Sequence, residues 1–378
     1  MAWKTFLPSS PSTSSGVRKE GDESHMLCLL PQEILELIES YLFIGDRLAF
    51  KATCQATKLL QNPPLTYEKS KHCPYFSCPK LILRRNDDDV QLFDFAYNSL
   101  YVSEIPEFKD AEIRCSKYGW LLMSNGNSKS LFLFNPFTNQ KRIDIPWITL
   151  DHVTAMSFDF PPTSSSWSVF GVFYHEEGEL AGLISVANVK SGKRSQNWRV
   201  RNIFKKPDNF QVSTGALVSH NDRYYFLDVK GRVALFDPEH RRQYFYSQPI
   251  GFRDVNSENV NQSFLVAGLD GGDVFAVIVS HDATKVSVYK LNPGNKRWVR
   301  VESLENIMVF VSVTSSFWAK AAEKWMGNKI YFPKFHGENG IFYSLTTQKY
   351  HSYDGRFSTQ EPSQLIDMDS ATWIQPYL

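Results

Sequence analysis

The sequence predicts a mainly β protein: a β-propeller of about six blades preceded by a small α-helical module. Three observations carry that expectation. Short aromatic and β-branched runs, separated by Gly, Asn, Asp and Pro pairs, fill the chain after Pro64 with no long helical pattern between them. A strand, polar turn, strand unit recurs about every 50 residues. Helical periodicity is concentrated in one short stretch, from Leu30 to Leu60.

Residues 1–25 contain the polar tract Ser9-Ser10-Pro11-Ser12-Thr13-Ser14-Ser15-Gly16, which buries too little apolar surface to offset its ordering entropy, so a disordered tail is expected. The helical module, residues 26–65, opens at Pro31, whose missing N–H suits a first helical position, with Glu33 near the positive helix end. Ile34, Leu35, Ile38, Tyr41 and Leu42 then recur at three- and four-residue steps and form one apolar face. Gly45 fits the end of that helix, and Asp46 caps a second one, Arg47 to about Gln55, which carries Leu48 and Ala52; Pro63-Pro64 closes the segment. About 35 residues enclose too little surface to bury all these groups internally, so part of the face is expected to pack on a partner.

From residue 66 to 378 the period is that of strands. Leu81-Ile82-Leu83 is followed by a turn at Asn86 to Asp89, then by Val90 to Phe95 and Leu100 to Val102. Six copies of the repeat anchor follow each other: Phe93-Asp94-Phe95-Ala96, Phe132-Leu133-Phe134-Asn135-Pro136, Val186-Ala187-Asn188, Leu235-Phe236-Asp237-Pro238, Tyr289-Lys290-Leu291-Asn292-Pro293 and Phe342-Tyr343-Ser344-Leu345. Their spacing of about 39 to 55 residues is that of a propeller blade. One such unit cannot bury its faces alone, whereas a ring of them buries each against its neighbours.

Composition narrows the function. Across 378 residues, 42% are hydrophobic and 21% charged, and no apolar run approaches the roughly 18 residues of a membrane span, so a soluble globular protein is expected. Lys and Arg number 41 against 40 Asp and Glu, a net charge of +1, which leaves no global field to recruit nucleic acid or an anionic membrane. Five scattered cysteines argue against a secreted disulfide framework and for a reducing compartment, cytoplasmic or nuclear. His72-Cys73 with Cys78 lacks the second ligand pair of a zinc site.

No catalytic constellation stands out. There is no Gly-x-Ser-x-Gly elbow, and His220, His281 and His351 each sit beside turn residues, as surface loops would place them. His175-Glu176-Glu177 has no second His at helical spacing, and Asp270-Gly271-Gly272-Asp273 reads as a hairpin turn rather than a calcium loop. No catalytic residue, metal or cofactor is assigned. The aromatics at expected blade rims, Phe160 and Trp167 around a Pro/Ser/Thr run, and Phe317 with Trp318, are instead candidates to anchor a protein target.

Leu30-Pro31-Gln32-Glu33-Ile34-Leu35, then Ile38, Leu42, Asp46-Arg47-Leu48 and Cys54, resemble an F-box; Thr57 stands where that module usually carries Trp. Tyr118-Gly119-Trp120-Leu121-Leu122-Met123, Leu131 to Thr138 and Ile143-Asp144-Ile145-Pro146 resemble the plant F-box-associated, kelch-like (KIB-type) propeller family, although the double-Gly kelch signature occurs only once, at Gly271-Gly272. The two resemblances imply a substrate receptor of an SCF-type ubiquitin ligase. Leu30, Pro31, Ile34, Leu35, Ile38, Leu42 and Leu48 would bind a Skp-type adaptor and, through it, a cullin, while the propeller would hold an unidentified target protein. The alternatives are a binding-only propeller without a ligase link and a propeller enzyme acting on glycans or metabolites.

Overall fold

A computed structural model describes residues 4–6, 29–41, 50, 57, 78–84, 89–137, 142–148, 153–164, 167–174, 180–188, 198–201, 212–228, 231–237, 242–246, 260–268, 271–292, 294, 297–368 and 370–376. The chain contributes strand β1 (Lys4–Phe6) and helix α1 (Gln32–Tyr41) before the ring begins. Blade 1 takes β2 (Lys80–Arg84), β3 (Asp89–Asp94) and β4 (Ser99–Glu104). Blade 2 takes β5 (Glu112–Lys117), β6 (Trp120–Asn125), β7 (Ser130–Phe134) and β8 (Ile143–Ile145). Blade 3 takes β9 (Val153–Phe158), β10 (Trp167–Tyr174), β11 (Leu180–Asn188) and β12 (Arg199–Arg201). Blade 4 takes β13 (Val212–His220), β14 (Arg223–Asp228), β15 (Val233–Asp237) and β16 (Arg242–Tyr246). Blade 5 takes β17 (Val260–Gly268), β18 (Val274–Ser280), β19 (Val286–Asn292) and β20 (Arg297–Val301). Blade 6 is built from β21 (Ile307–Phe310), β22 (Phe317–Lys320), β23 (Lys329–His336), β24 (Asn339–Ser344), β25 (Lys349–Ser352), β26 (Ser358–Thr359) and β27 (Ile366–Asp367). It departs from the others, because β21 runs parallel to β23 and β22 runs parallel to β17 of blade 5.

The last strand, β28 (Thr372–Ile374), returns to blade 1 and pairs antiparallel with β2, Lys80 opposite Ile374 and Leu81 opposite Trp373. The ring is thus closed by a strand from the far end of the chain. The fold is the expected propeller, with six blades among the described residues.

The anchors recognised in the sequence close β3, β7, β11, β15, β19 and β24, and in three of them the chemistry is an Asx turn. Asp94 Oδ1 accepts the Ala96 N–H at 2.9 Å, Asn135 Oδ1 accepts that of Phe137 at 2.9 Å, and Asn292 Oδ1 accepts that of Gly294 at 3.0 Å. A side-chain oxygen thereby satisfies a turn donor that the sheet has left behind. Across from two of these closing residues stands a cation that opens the second strand: Lys80 with buried Asp94 at 2.6 Å, and Arg223 with Asp237 at 3.4 Å.

Packing between blades explains why the strands read as nearly continuous apolar runs. Alternate residues of one strand face opposite neighbours, so both faces of each sheet are buried. In β6, Leu121 and Met123 join Ile82, Val90 and Leu92 of blade 1, whereas Trp120 and Leu122 join Met156, Phe158 and Val169 of blade 3. Among the described residues six such apolar clusters occur, one at each blade junction, and β28 serves two of them: Trp373 packs on the blade 6 side and Ile374 on the blade 2 side.

The sequence expectation needs a correction at the N-terminus. Lys4–Phe6, within the tail expected to be disordered, pairs with β4 as an added edge strand of blade 1, Thr5 opposite Tyr101. Alternating Lys4, Thr5 and Phe6 suit an extended edge, whereas the polar composition of the following residues dominates any average over the tail. The expected second helix lies mostly outside the described residues, of which Phe50 and Thr57 are helical and buried.

Closure makes a prediction. Trp373 is fully buried, its ring 4.9 Å from that of Phe310, and its indole N–H donates to the Val311 carbonyl at 3.2 Å. Trp373→Ala should cost about 3–5 kcal/mol in chemical denaturation, whereas Trp325→Ala, at a 55% exposed indole, should stay within about 0.5 kcal/mol. Equal effects would mean that the β28 junction does not hold the ring together.

Candidate functional site

Two regions present chemistry to a partner. The first is α1. It begins directly after Pro31, whose carbonyl accepts the N–H groups of Ile34 and Leu35 at 3.0 and 3.2 Å, and Gln32 bonds Glu36 one turn on at 2.9 Å. One stripe is used internally: Leu35 is buried against Phe50, with Leu30 and Ile38 packed beside it. Beyond that stripe Leu29, Ile34 and Leu37 are 81%, 41% and 51% exposed, and Pro31 is exposed as well. Ile34 and Leu37 are three residues apart and so lie side by side on the helix surface.

Among the residues expected to touch an adaptor, then, Pro31 and Ile34 stand open, while Leu30 and Ile38 are partly covered. Leu35 is corrected: it is core, because a helix this short gains its stability by burying one stripe against its own module. Leu42 and Leu48 lie outside the described residues. Leu37 was missed although it sits three residues after Ile34.

The second region is the end of the ring where the inner strands run out. Lys117 ends β5, Asp159 follows β9, Ser219 and His220 end β13, and Gly271 to Asp273 lead from β17 into β18. These residues converge. Lys117 Nζ donates to the Ser219 carbonyl at 3.2 Å and lies 3.5 Å from that of Asp159, with the Tyr118 ring 4.9 Å away. Asp159 Oδ1 accepts the N–H groups of Phe160 and Ser168 at 2.8 and 2.6 Å, which fixes both ends of the loop between β9 and β10. Gly271 and Gly272, with φ of 90° and 98°, make the expected turn, and Trp318 lies so close to Gly272 that any Cβ there would meet its ring at 2.7 Å.

The electrostatics of this end follow from burial. It lowers the Lys117 ammonium to about 8, against the nearby Asp159 and Cys115, which act to raise it. It raises the Asp159 carboxyl, opposed by the backbone hydrogen bonds that this group accepts. Burial also lowers the His220 imidazole, opposed by a hydrogen bond to the Gly272 backbone. His220 is therefore not the surface-loop residue that its neighbouring Asn221 and Asp222 led one to expect; it is the last residue of β13 and 6% exposed. His281 lies in an exposed turn, and His351 lies in β25.

The expected aromatic anchors divide. Phe160 is 43% exposed at the loop between β9 and β10. Trp167 is 7% exposed and Phe317 4%, so the expectation that these two rings stand open at a rim is corrected. Trp167 opens β10 as Trp120 opens β6, and both fill the junction between blades 2 and 3. Phe317 packs at the junction of blades 6 and 1, its ring 5.4 Å from that of Phe310. Trp318 is partly buried; its indole N–H donates to the Asp273 carbonyl at 2.8 Å. Lys117, Asp159 and Ser219 were missed, since each looks unremarkable in its own segment.

Among the described residues no group of three or more His, Cys, Asp or Glu is placed to hold a metal, and no helix is long and apolar enough to cross a membrane. His175-Glu176-Glu177, His72 and Cys73 lie outside the described residues, and Cys78 and Cys115 are buried.

Comparison with known proteins gives a consistent picture. The family model described as KIB1-4 beta-propeller matches residues 92–354, from β3 in blade 1 to the turn after β25 in blade 6. The F-box protein At3g56470 of Arabidopsis thaliana is 26% identical over 354 residues, 92% of this chain and 88% of that one. The F-box/kelch-repeat protein At1g57790 of Arabidopsis thaliana is 25% identical over 355 residues, 92% of this chain and 94% of that one. Because the match runs through all six blades, the chain belongs to the KIB1-4 beta-propeller family.

Proposed function

We propose that this protein is the substrate-receptor subunit of an SCF-type ubiquitin ligase. The observation that carries the proposal is the open apolar surface of α1 and the turn before it, with Ile34 and Leu29 exposed, placed ahead of a propeller in a chain whose relatives are named F-box proteins. A solitary apolar helix face of this kind suits a protein partner better than solvent. The partner is a Skp-type adaptor, which brings a cullin, and the propeller holds the target.

In this role the protein performs no bond chemistry of its own. It raises the effective concentration of the target at the conjugating enzyme, so that transfer becomes close to intramolecular. The strands spend their side chains on the blade junctions, which leaves the loops to vary and to recognise. Phe160, exposed and held by Asp159, is the first anchor for the target. The setting is cytoplasmic or nuclear, where a buried thiol such as Cys115 stays reduced.

Ile34→Asp should weaken capture of a purified Skp-type adaptor at least about tenfold while the propeller melts as before. Unchanged capture would overturn the ligase role and favour a binding-only propeller. Leu35→Asp is the poorer probe, since it places a charge in the module's own core and should unfold it. For the same reason Thr57→Trp, at a fully buried position, should overpack the module by about 1–3 kcal/mol and reduce adaptor capture. On the propeller, Phe160→Ala should lower target recovery from cells at least about threefold, with stability changed by no more than about 0.5 kcal/mol. Target recovery equal to the parent's would place the anchor elsewhere.

A further inference from the structure

On the ring axis lies a cavity of about 180 Å³, walled by β5, β9, β13, β17 and residues 313–317. That is below the about 300–1,000 Å³ of clefts that enclose drug-sized molecules, so it suits one small chemical group. Its wall is rich in hydroxyls, from Ser116, Ser157, Ser219, Thr314, Ser315 and Ser316, and no Asp or Glu is among its lining residues. Two cations line it. Arg114 is already held by Glu112 at 2.8 Å and by the Ser124 hydroxyl at 2.6 Å. Lys117 donates to the carbonyls of Ser219 and Asp159, at 3.2 and 3.5 Å, lies 4.9 Å from the Tyr118 ring, and forms no ion pair with any described carboxylate. The carboxylate of Asp159 is turned to the backbone of its own loop, where Oδ1 takes two N–H groups. On the same wall Ser116 is 6% exposed and its Oγ has no hydrogen-bond partner. A partly buried ammonium held by neutral carbonyls rather than by a direct ion pair, and a buried hydroxyl without a partner, both leave donors unspent, and an oxyanion takes them up.

We infer that the axial cavity binds a small oxyanion, a carboxylate or phosphate group, held by the Lys117 ammonium with the hydroxyls of Ser116 and Ser219. This goes beyond the adaptor-binding role and does not depend on it, because every residue involved belongs to the propeller. A charge-assisted hydrogen bond from an ammonium in a site of low dielectric is the strong contact, and the hydroxyls add neutral donors around it. The source is either a free small anion or an acidic group at the end of a polypeptide.

The charge that does the binding is itself titratable. Lys117 is lowered to about 8 by burial, with Asp159 and Cys115 acting to raise it, and Arg114 on the cavity wall, His220, Asp273 and its ion-pair partner Lys290 are further ionisable groups near it. Below that pH the ammonium is present, so affinity for acetate, itself ionised throughout, should fall as the pH rises through about 8 to 9.

Calorimetric titration of the full chain tests this at constant ionic strength and pH 7. The probes are inorganic phosphate, acetate, and pentaglycine with either a free or an amidated C-terminus. Saturable binding of phosphate or acetate, weakened at least about tenfold by Lys117→Gln and unchanged by Lys324→Gln at an exposed lysine, is expected. Preference for the free-acid peptide over its amide assigns the site to a polypeptide terminus; binding of the inorganic ions alone assigns it to a free anion. Should Lys117→Gln fail to fold, the acylation rate of Lys117 in the parent, read by mass spectrometry, replaces it, and a saturating anion should slow that reaction. No saturable binding of any probe, equal affinity in parent and variant, or an acylation rate indifferent to the anion would overturn the inference.

Discussion

The structure depends on ring closure, the pairing of β28 with β2. Each blade is a sheet apolar on both faces, so none is stable until a neighbour lies on each side. The requirement passes from blade to blade and ends only where the last strand of the chain completes the first blade. Trp373 and Ile374 show how economical the closure is: consecutive residues point to opposite faces and so complete two different junctions. Loop-closure entropy for so distant a pairing grows only slowly with chain length, which makes a terminal strand a workable lock.

The same constraint decides where function can sit. Strand residues are committed to the junctions on both sides, as Trp120, Trp167 and Phe317 illustrate. What remains is the set of turns at the ends of the ring, the axis where the inner strands meet, and the short helical module ahead of the first blade. These places differ in character. The module offers an apolar surface around Ile34, the turn between β9 and β10 offers an exposed aromatic ring, and the axis offers a cation among hydroxyls. A protein that joins one partner to another has use for surfaces that do not overlap.

Much of the architecture was legible because it is local. The recurring Asp or Asn after an aromatic strand is an Asx turn whose chemistry is complete within three residues, so Asp94, Asn135 and Asn292 could be recognised one by one. The aromatic anchors were less legible, since a Trp beside a polar run looks the same whether it caps a loop or opens a buried strand; the parallel between Trp120 and Trp167 was the available clue. Helical spacing placed Leu35 on an apolar face correctly, yet spacing alone does not say which part of the face meets Phe50 and which meets solvent. The axial site was beyond the sequence. Lys117, Asp159 and Ser219 lie in three different blades, and only the shared direction of the inner strands brings them together.

The central claim is a division of labour between the helical module and the propeller, and hydrogen–deuterium exchange of the full chain with and without a purified Skp-type adaptor tests it most directly. Adaptor binding should slow exchange across Gln32–Tyr41, where the helix amides are marginally protected in so small a module, and should leave the inner strands β5, β13 and β17 unchanged. Protection that appears on the propeller instead, or no protection anywhere at saturating adaptor, would contradict the account.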